Sequence, residues 1–172
     1  MRVVLAFLAL VAAAPADVGA TAVAEAPPPS ENVTYVPDSS PLWTFWPADR
    51  WTERTHSGSR NPNGTEHESK WGSASALIAS PVNATRPAPR ALGVVYGTGS
   101  SNGHARVTIN GRVMVDNLDT FSPTTNLSNE VVFPLAGLPN LPLWVLHFEA
   151  IGNWTKGSKD SYVEVVGLNI YM

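Results

Sequence analysis

Asn110-Gly111 stands between two runs of alternating residues, Ala105–Ile109 and Arg112–Asp116. Asn-Gly is the strongest short hairpin signal, because a type I′ turn needs φ > 0 at both central positions and these residues accept it. Such a turn puts Val107, Ile109 and Met114 on one face, and Arg106, Thr108 and Val113 on the other. One face is apolar and one is mixed, as in a half-buried antiparallel sheet. The preceding stretch agrees. Small and apolar runs over 73–80 and 92–97 have strand length, and Val94 and Val95 are β-branched. Pro81, Pro87 and Pro89 between them cannot donate to a ladder, so 81–91 connects rather than pairs.

The rest of the chain repeats the pattern. Residues 41–46 alternate Leu42, Thr44 and Trp46 against Trp43 and Phe45, which predicts a first strand ending before Pro47. Residues 47–70 are polar without periodicity and predict a long loop. Further strands are predicted over 130–135, 143–150 and 162–171. In the 143–150 run, Trp144, Leu146, Phe148 and Ala150 point one way, opposite His147 and Glu149. In the last run, Glu164, Val166, Leu168 and Ile170 alternate against Val163, Val165, Gly167 and Asn169. No segment after the N-terminal apolar run shows a helical stripe. Many short strands without helices predict an all-β antiparallel sandwich, a jelly roll of eight or nine strands. The 15 Pro and 13 Gly supply the turns such a fold needs.

Met1-Arg2 followed by twelve apolar residues and Ala14-Pro15-Ala16 has the form of a secretory signal. A membrane span needs about 20 apolar residues, and Pro15 and Asp17 end this run sooner. The expected organisation is a signal peptide over 1–16, a Pro- and Ala-rich linker over 17–40 with room for a short strand near Val33–Val36, and a sandwich domain over 41–172. Loss of Arg2 with the signal turns 11 basic and 14 acidic residues into 10 and 14, a balance of −4. That balance, without a basic cluster, excludes nucleic acid and an anionic membrane surface as partners. Cysteine is absent, so disulfides, thiol nucleophiles and thiolate metal sites are excluded.

Motif fragments point away from catalysis. Gly99-Ser100-Ser101-Asn102-Gly103 matches a nucleophile elbow in letters, but an elbow is followed by a helix and here a strand follows. Gly97-Thr98-Gly99 begins a dinucleotide fingerprint that Asn102 breaks. His67-Glu68 begins a zinc motif, but Trp71 occupies the second His position. His56, Glu66, His67 and Glu68 are then a solvated loop, or at most a loop metal site. No cofactor is implied, and a calcium held by backbone carbonyls would leave no trace. Asn-x-Ser/Thr occurs at Asn32, Asn63, Asn83, Asn126 and Asn153, which with the signal reads as N-glycosylation.

The order of motifs resembles a known group. A Trp-containing first strand and a polar loop are followed by Gly72-Ser73-Ala74-Ser75, Val94-Val95-Tyr96-Gly97 and Val107-Thr108-Ile109-Asn110-Gly111. Val132-Phe133 with Gly137-Leu138, Leu146-His147-Phe148 and a closing Val165–Ile170 strand complete the series. The chain resembles, over about 41–172, the galactose-binding-like jelly-roll modules of secreted and membrane proteins of fungi, especially mushroom-forming ones. It departs at Asn110-Gly111, where Asp-Gly is usual, and at Val166-Gly167, where an acidic-aromatic pair is common. The resemblance implies a sandwich of eight or nine strands and carbohydrate contact; it does not imply an enzyme.

Sugar sites stack an apolar pyranose face on an aromatic ring and fix hydroxyls with a few polar groups. Trp144 belongs to the core by its alternation. Trp51, Trp71 and Trp154 stand among polar residues and, with His104 and Arg106, form the candidate ligand site. The competing reading makes these rings plugs at the ends of the sandwich. The expected function is a secreted, N-glycosylated, non-catalytic module that binds carbohydrate or cell-wall polymer. A structural or adhesion module without a small ligand comes next. A glycan-active hydrolase or lyase comes third, since no Asp or Glu sits in a recognisable catalytic motif.

Overall fold

The computed structural model describes residues 32–55, 65–79, 88–138, 142–153 and 155–172. They form two antiparallel sheets facing each other across one core. The strands are β1 (Val33–Pro37), β2 (Trp43–Trp46), β3 (Thr52–Thr55), β4 (Thr65–Ser69), β5 (Ser73–Ala79) and β6 (Ala91–Thr98). They continue with β7 (His104–Ile109), β8 (Arg112–Asp119), β9 (Asn126–Pro134), β10 (Leu143–Ala150) and β11 (Val163–Tyr171). One sheet has the order β3-β4-β11-β6-β9, with β1 also on β11. The other runs β2-β5-β10-β7-β8. No α-helix occurs among the described residues; a single 3-10 turn covers Ala48–Arg50. The all-β antiparallel sandwich is as expected, with eleven strands where eight or nine were predicted.

The β7–β8 hairpin follows its turn chemistry. Asn110 has φ 50° and Gly111 φ 78°, and Ile109 pairs with Arg112 across the turn. Asn110 Oδ1 also accepts the Val145 N–H at 2.8 Å, which ties the turn to β10. Alternation then fills the core. Ala74, Ala76 and Ile78 of β5, Ala105, Val107 and Ile109 of β7, and Trp144, Leu146 and Phe148 of β10 are buried. They pack against Leu92, Val94, Val163, Val165 and Leu168 of the opposite sheet.

Three expectations need correction. The predicted loop over 47–70 contains β3 and β4. All four residues of β3 are exposed, so it shows no apolar alternation, and β4 buries Glu66 and Glu68 rather than apolar side chains. The short strand foreseen near Val33–Val36 is β1, an edge strand that buries only Val36 and pairs with Gly167–Tyr171. The strand predicted at 130–135 begins earlier, at Asn126, on polar residues that pair along β6. The last strand breaks phase. Its register against β6 shifts between Val165 and Gly167, a bulge that lets Val163, Val165, Leu168 and Ile170 all reach the core. Val166 turns outward onto Val95 and Tyr35. The bulge lies where β11 changes neighbour from β4 to β1, and there the Val166 carbonyl accepts both the Asp38 N–H (3.1 Å) and the Tyr35 hydroxyl (2.9 Å).

Candidate functional site

The outer face of the β2-β5-β10-β7-β8 sheet collects the residues that do not enter the core. Cross-strand pairing sorts them into rows. Trp46 pairs with Ser73, Ser73 with Glu149, and Glu149 with Arg106. Beyond Arg106, Asp116 of β8 closes the row: Arg106 Nε donates to Asp116 Oδ1 at 2.5 Å, and Nη1 lies 3.5 Å from Glu149 Oε2. The hydrogen bond to Asp116 holds the guanidinium pKa above its ordinary value.

A second polar row lies at the loop end of the same face. His104 pairs with Asp119. Its Nδ1 donates to Asn117 Oδ1, and its Nε2 is 2.8 Å from the Thr155 hydroxyl, which donates to Asp119 Oδ2 at 2.7 Å. The backbone clamps it too: the His104 N–H donates to Asn153 O, and its carbonyl accepts the Ile151 N–H. This row is therefore preorganised, with every partner on β8 or in the β10–β11 loop.

Aromatic rings stand at the β2–β5 side. Trp46 is 70% exposed and Trp71 is 62% exposed. The Trp71 ring lies against Gly152, at φ 72°, where any side chain would collide with it. Gly152 and Trp71 follow and precede strands joined at their ends by the Ala150 N–H to Gly72 O bond. Next to Trp71, Lys70 bonds Asp160 at 2.5 Å and sits over the Tyr162 ring, 4.6 Å from its centroid. The Asp160 hydrogen bond raises the Lys70 pKa, and the Lys70 hydrogen bond lowers that of Asp160.

Of the candidate ligand residues, His104 and Arg106 share this face, and Trp71 stands exposed in the β4–β5 turn against Gly152. Trp51 stands apart. It is 8% exposed, sits in the core, and packs against Phe45 with ring centroids 5.0 Å apart. Its polar sequence neighbours are all solvent-facing; only the 3-10 turn at Ala48–Arg50 carries the indole inward. Trp154 lies outside the described residues. Trp46, Glu149, Asp116, Asn117, Asp119 and Thr155 were missed. Trp46 falls in the alternation already read for the first strand, and its exposure follows from its place on the outer face; the others needed the cross-strand register.

The same face changes character toward its other end. Leu42, Leu77 and Leu143 are each exposed there. Between the two ends, Ser75 Oγ and His147 Nδ1 are hydrogen-bonded at 2.8 Å.

The partial zinc motif is explained by alternation. His67 turns inward, where it stacks on Phe45 at 4.0 Å and its Nδ1 bonds the buried Asp38 carboxylate at 2.7 Å. Glu68 points the other way, to Arg54 at 2.5 Å. Among the described residues no three His, Asp or Glu side chains gather as a metal site. His56 lies outside them. Beside Glu68, burial and the charges of Glu66 and Glu68 push the Glu164 carboxyl up to about 7.

The sequons are placed in part. Asn32 is exposed. Asn126 is exposed, and its Oδ1 accepts the Ser128 N–H and hydroxyl of its own sequon. Asn153 is exposed beside the His104 row. Asn63 and Asn83 lie outside the described residues.

No protein-family model matches the sequence, and no curated protein sequence does. Solved structures do. A family 35 carbohydrate binding module from Clostridium thermocellum matches with a TM-score of 0.51 and 14% identity, over 81% of this chain and 97% of that one. Xanthan lyase from Paenibacillus matches with a TM-score of 0.51 and 11% identity, over 81% of this chain. The match spans only 12% of the lyase, so that likeness is to one segment of a much longer protein. At these identities both show the fold alone, an antiparallel β-sandwich.

Proposed function

We propose that this protein is a secreted, N-glycosylated, non-catalytic module that binds carbohydrate or cell-wall polymer on the outer face of its β2-β5-β10-β7-β8 sheet. The observation that carries this reading is the pair of exposed indoles, Trp46 and Trp71, beside rows of hydrogen-bonding side chains from Ser73 to Asp116. An indole face stacks on a pyranose ring. Glu149, Arg106, Asp116 and the His104–Thr155–Asp119 chain supply donors and acceptors for hydroxyls. The fold shared with a carbohydrate binding module supports the same reading. Secretion rests on the charged start and apolar run of 1–16, and glycosylation on the sequons.

Catalysis is disfavoured by geometry. A glycosidase sets two carboxyls on either side of the scissile bond. Here Asp116 and Glu149 are tied to one guanidinium on a sheet face.

An adhesion module without a small ligand is the second reading. The exposed Leu42, Leu77 and Leu143 at the far end of the face favour it, because neighbouring exposed aliphatics mark a protein contact. The deciding experiment is pull-down of the secreted protein on insoluble cell-wall polysaccharides together with a glycan array. Retention that the Trp46→Ala/Trp71→Ala double variant loses supports the sugar site. Retention unchanged in that variant, or none on any glycan, overturns it.

A further inference from the structure

The outer face of the β2-β5-β10-β7-β8 sheet carries a second row beside the one that runs from Trp46 to Asp116. Thr44 pairs with Ser75, Ser75 with His147, His147 with Thr108 and Thr108 with Val113. On β2, β5, β10 and β7 each member stands two residues from its counterpart in the first row. The two rows therefore share a face and run side by side, about 7 Å apart along the strands. Each crosses five strands, and four steps at the strand spacing give a length of about 19 Å. β2 and β8 are the two ends of the sheet order, and among the described residues no strand lies beyond either. The strip is open at both ends.

Its chemistry is that of a hydroxyl-binding surface. The second row offers the hydroxyls of Thr44, Ser75 and Thr108, with the His147 imidazole bonded to Ser75 Oγ at 2.8 Å. These groups both donate and accept, as sugar hydroxyls do. In the first row the Arg106 guanidinium is already held between Asp116 and Glu149. Nothing in either row selects an anionic sugar. Val113, half exposed at the β8 end, adds an apolar contact beside Asp116. Next along β5 and β10, Leu77 pairs with Val145 and forms an aliphatic margin.

We propose that this strip takes an internal stretch of a neutral, β-1,4-linked glycan, laid across the strands with about four rings in contact. The inference rests on the sugar reading of this face and names the polymer. Equatorial β-1,4 linkage makes a straight, flat ribbon whose rings each advance by about one strand spacing, so successive rings meet successive strands. The ribbon's hydroxyls project from its two long edges, one toward each row. Trp46 stacks on the ring at the β2 edge, and Asp116 with Val113 meets the ring at the β8 edge. The chain continues past both edges, because neither end of the strip is closed. An α-1,4-linked chain coils and leaves a straight strip after its first rings.

The test is calorimetric titration of the full chain with cello- and N-acetylchito-oligosaccharides, from the disaccharide to the hexasaccharide. Malto-oligosaccharides serve as the α-1,4-linked counterpart. In a β-1,4 series affinity is expected to rise about fivefold per ring, the net worth of one hydrogen bond, and to level off near the tetrasaccharide. A malto-oligosaccharide of equal length is expected to bind at least about tenfold more weakly, two such bonds being lost. Trp46→Ala and Asp116→Asn lie at opposite ends of the row. Each is expected to make the tetrasaccharide bind like the wild-type trisaccharide. A disaccharide that binds as tightly as the tetrasaccharide overturns the inference and leaves a site for a single sugar. An equal response to the malto series, or end variants whose length dependence is that of wild type, overturns it too. So does the absence of binding in both β-1,4 series. Retention on another polysaccharide, lost in the Trp46→Ala/Trp71→Ala variant, then preserves the sugar reading with a different linkage, and no retention removes both.

Discussion

Trp46 stands directly across from Ser73 in the β2–β5 ladder, and it is the most exposed large apolar residue among the described residues. It occupies the last position of β2 on the outer face, so its ring covers none of the core residues on the inner face. A large ring held on a sheet face without a core to seal is free to contact a ligand.

Trp46→Ala is therefore expected to leave stability within about 0.5 kcal/mol, as for other surface positions. Trp71→Ala loses the contact with Gly152 and, at 62% exposure, behaves similarly. Retention on a binding polysaccharide falls about tenfold or more for either, the loss expected of a central aromatic anchor. Trp51→Ala and Trp144→Ala remove buried core rings and cost about 3–5 kcal/mol. Melting temperature and retention, measured on all four variants, separate the two classes.

Gly111→Val is expected to cost about 1 kcal/mol or more. Gly111 sits at φ 78° with open space around it, so the penalty comes from the backbone, which a β-branched residue resists in this region. Asn110→Ala at φ 50° also loses the acceptor for the Val145 N–H. Urea midpoints of both variants below wild type are the expected result.

Glu164 gives stability a pH dependence of definite sign. Its carboxyl titrates at about 7 in the fold, against an ordinary value of 4.5 in the unfolded chain. Below 4.5 it is neutral in both states and carries no penalty. Between 4.5 and 7 the unfolded chain ionises first, so stability falls as pH rises. Above 7 the loss is complete, about 3 kcal/mol for a shift of this size. Glu164→Gln is expected to remove that slope and to be more stable than wild type at pH 8. Chemical denaturation across pH 4.5 to 8 checks it.

Export and modification are checked by mass. Material secreted by a eukaryotic host is expected to begin near Asp17 or Thr21, and peptide-N-glycosidase is expected to lower its mass in several steps. Retention of residues 1–16, or one unshifted species, contradicts the proposed processing.

Local chemistry determined much of this molecule from the sequence. Asn110-Gly111 specified a type I′ hairpin because few residue pairs tolerate two positive φ angles. Period-two alternation placed the Leu143–Ala150 strand with its inner and outer faces, and Trp144 in the core. The same alternation put Arg106 and Thr108 on an outer face. Tertiary structure decided the rest, because those features depend on partners distant in sequence. The bulge at Val166 reverses the apparent phase of β11 only where β1 replaces β4 beside it. β4 lacks an apolar signal because its buried residues, Glu66, Glu68 and Ser69, are polar, and Arg54 of β3 pairs with Glu68. Trp51 and Trp71 have similar polar neighbourhoods in sequence, yet one is packed on Phe45 and the other rests on Gly152 in solvent. The row from Trp46 through Ser73, Glu149 and Arg106 to Asp116 joins residues of five strands. Alternation reveals which face a side chain takes, but only the pairing register of the strands sets who its neighbours are.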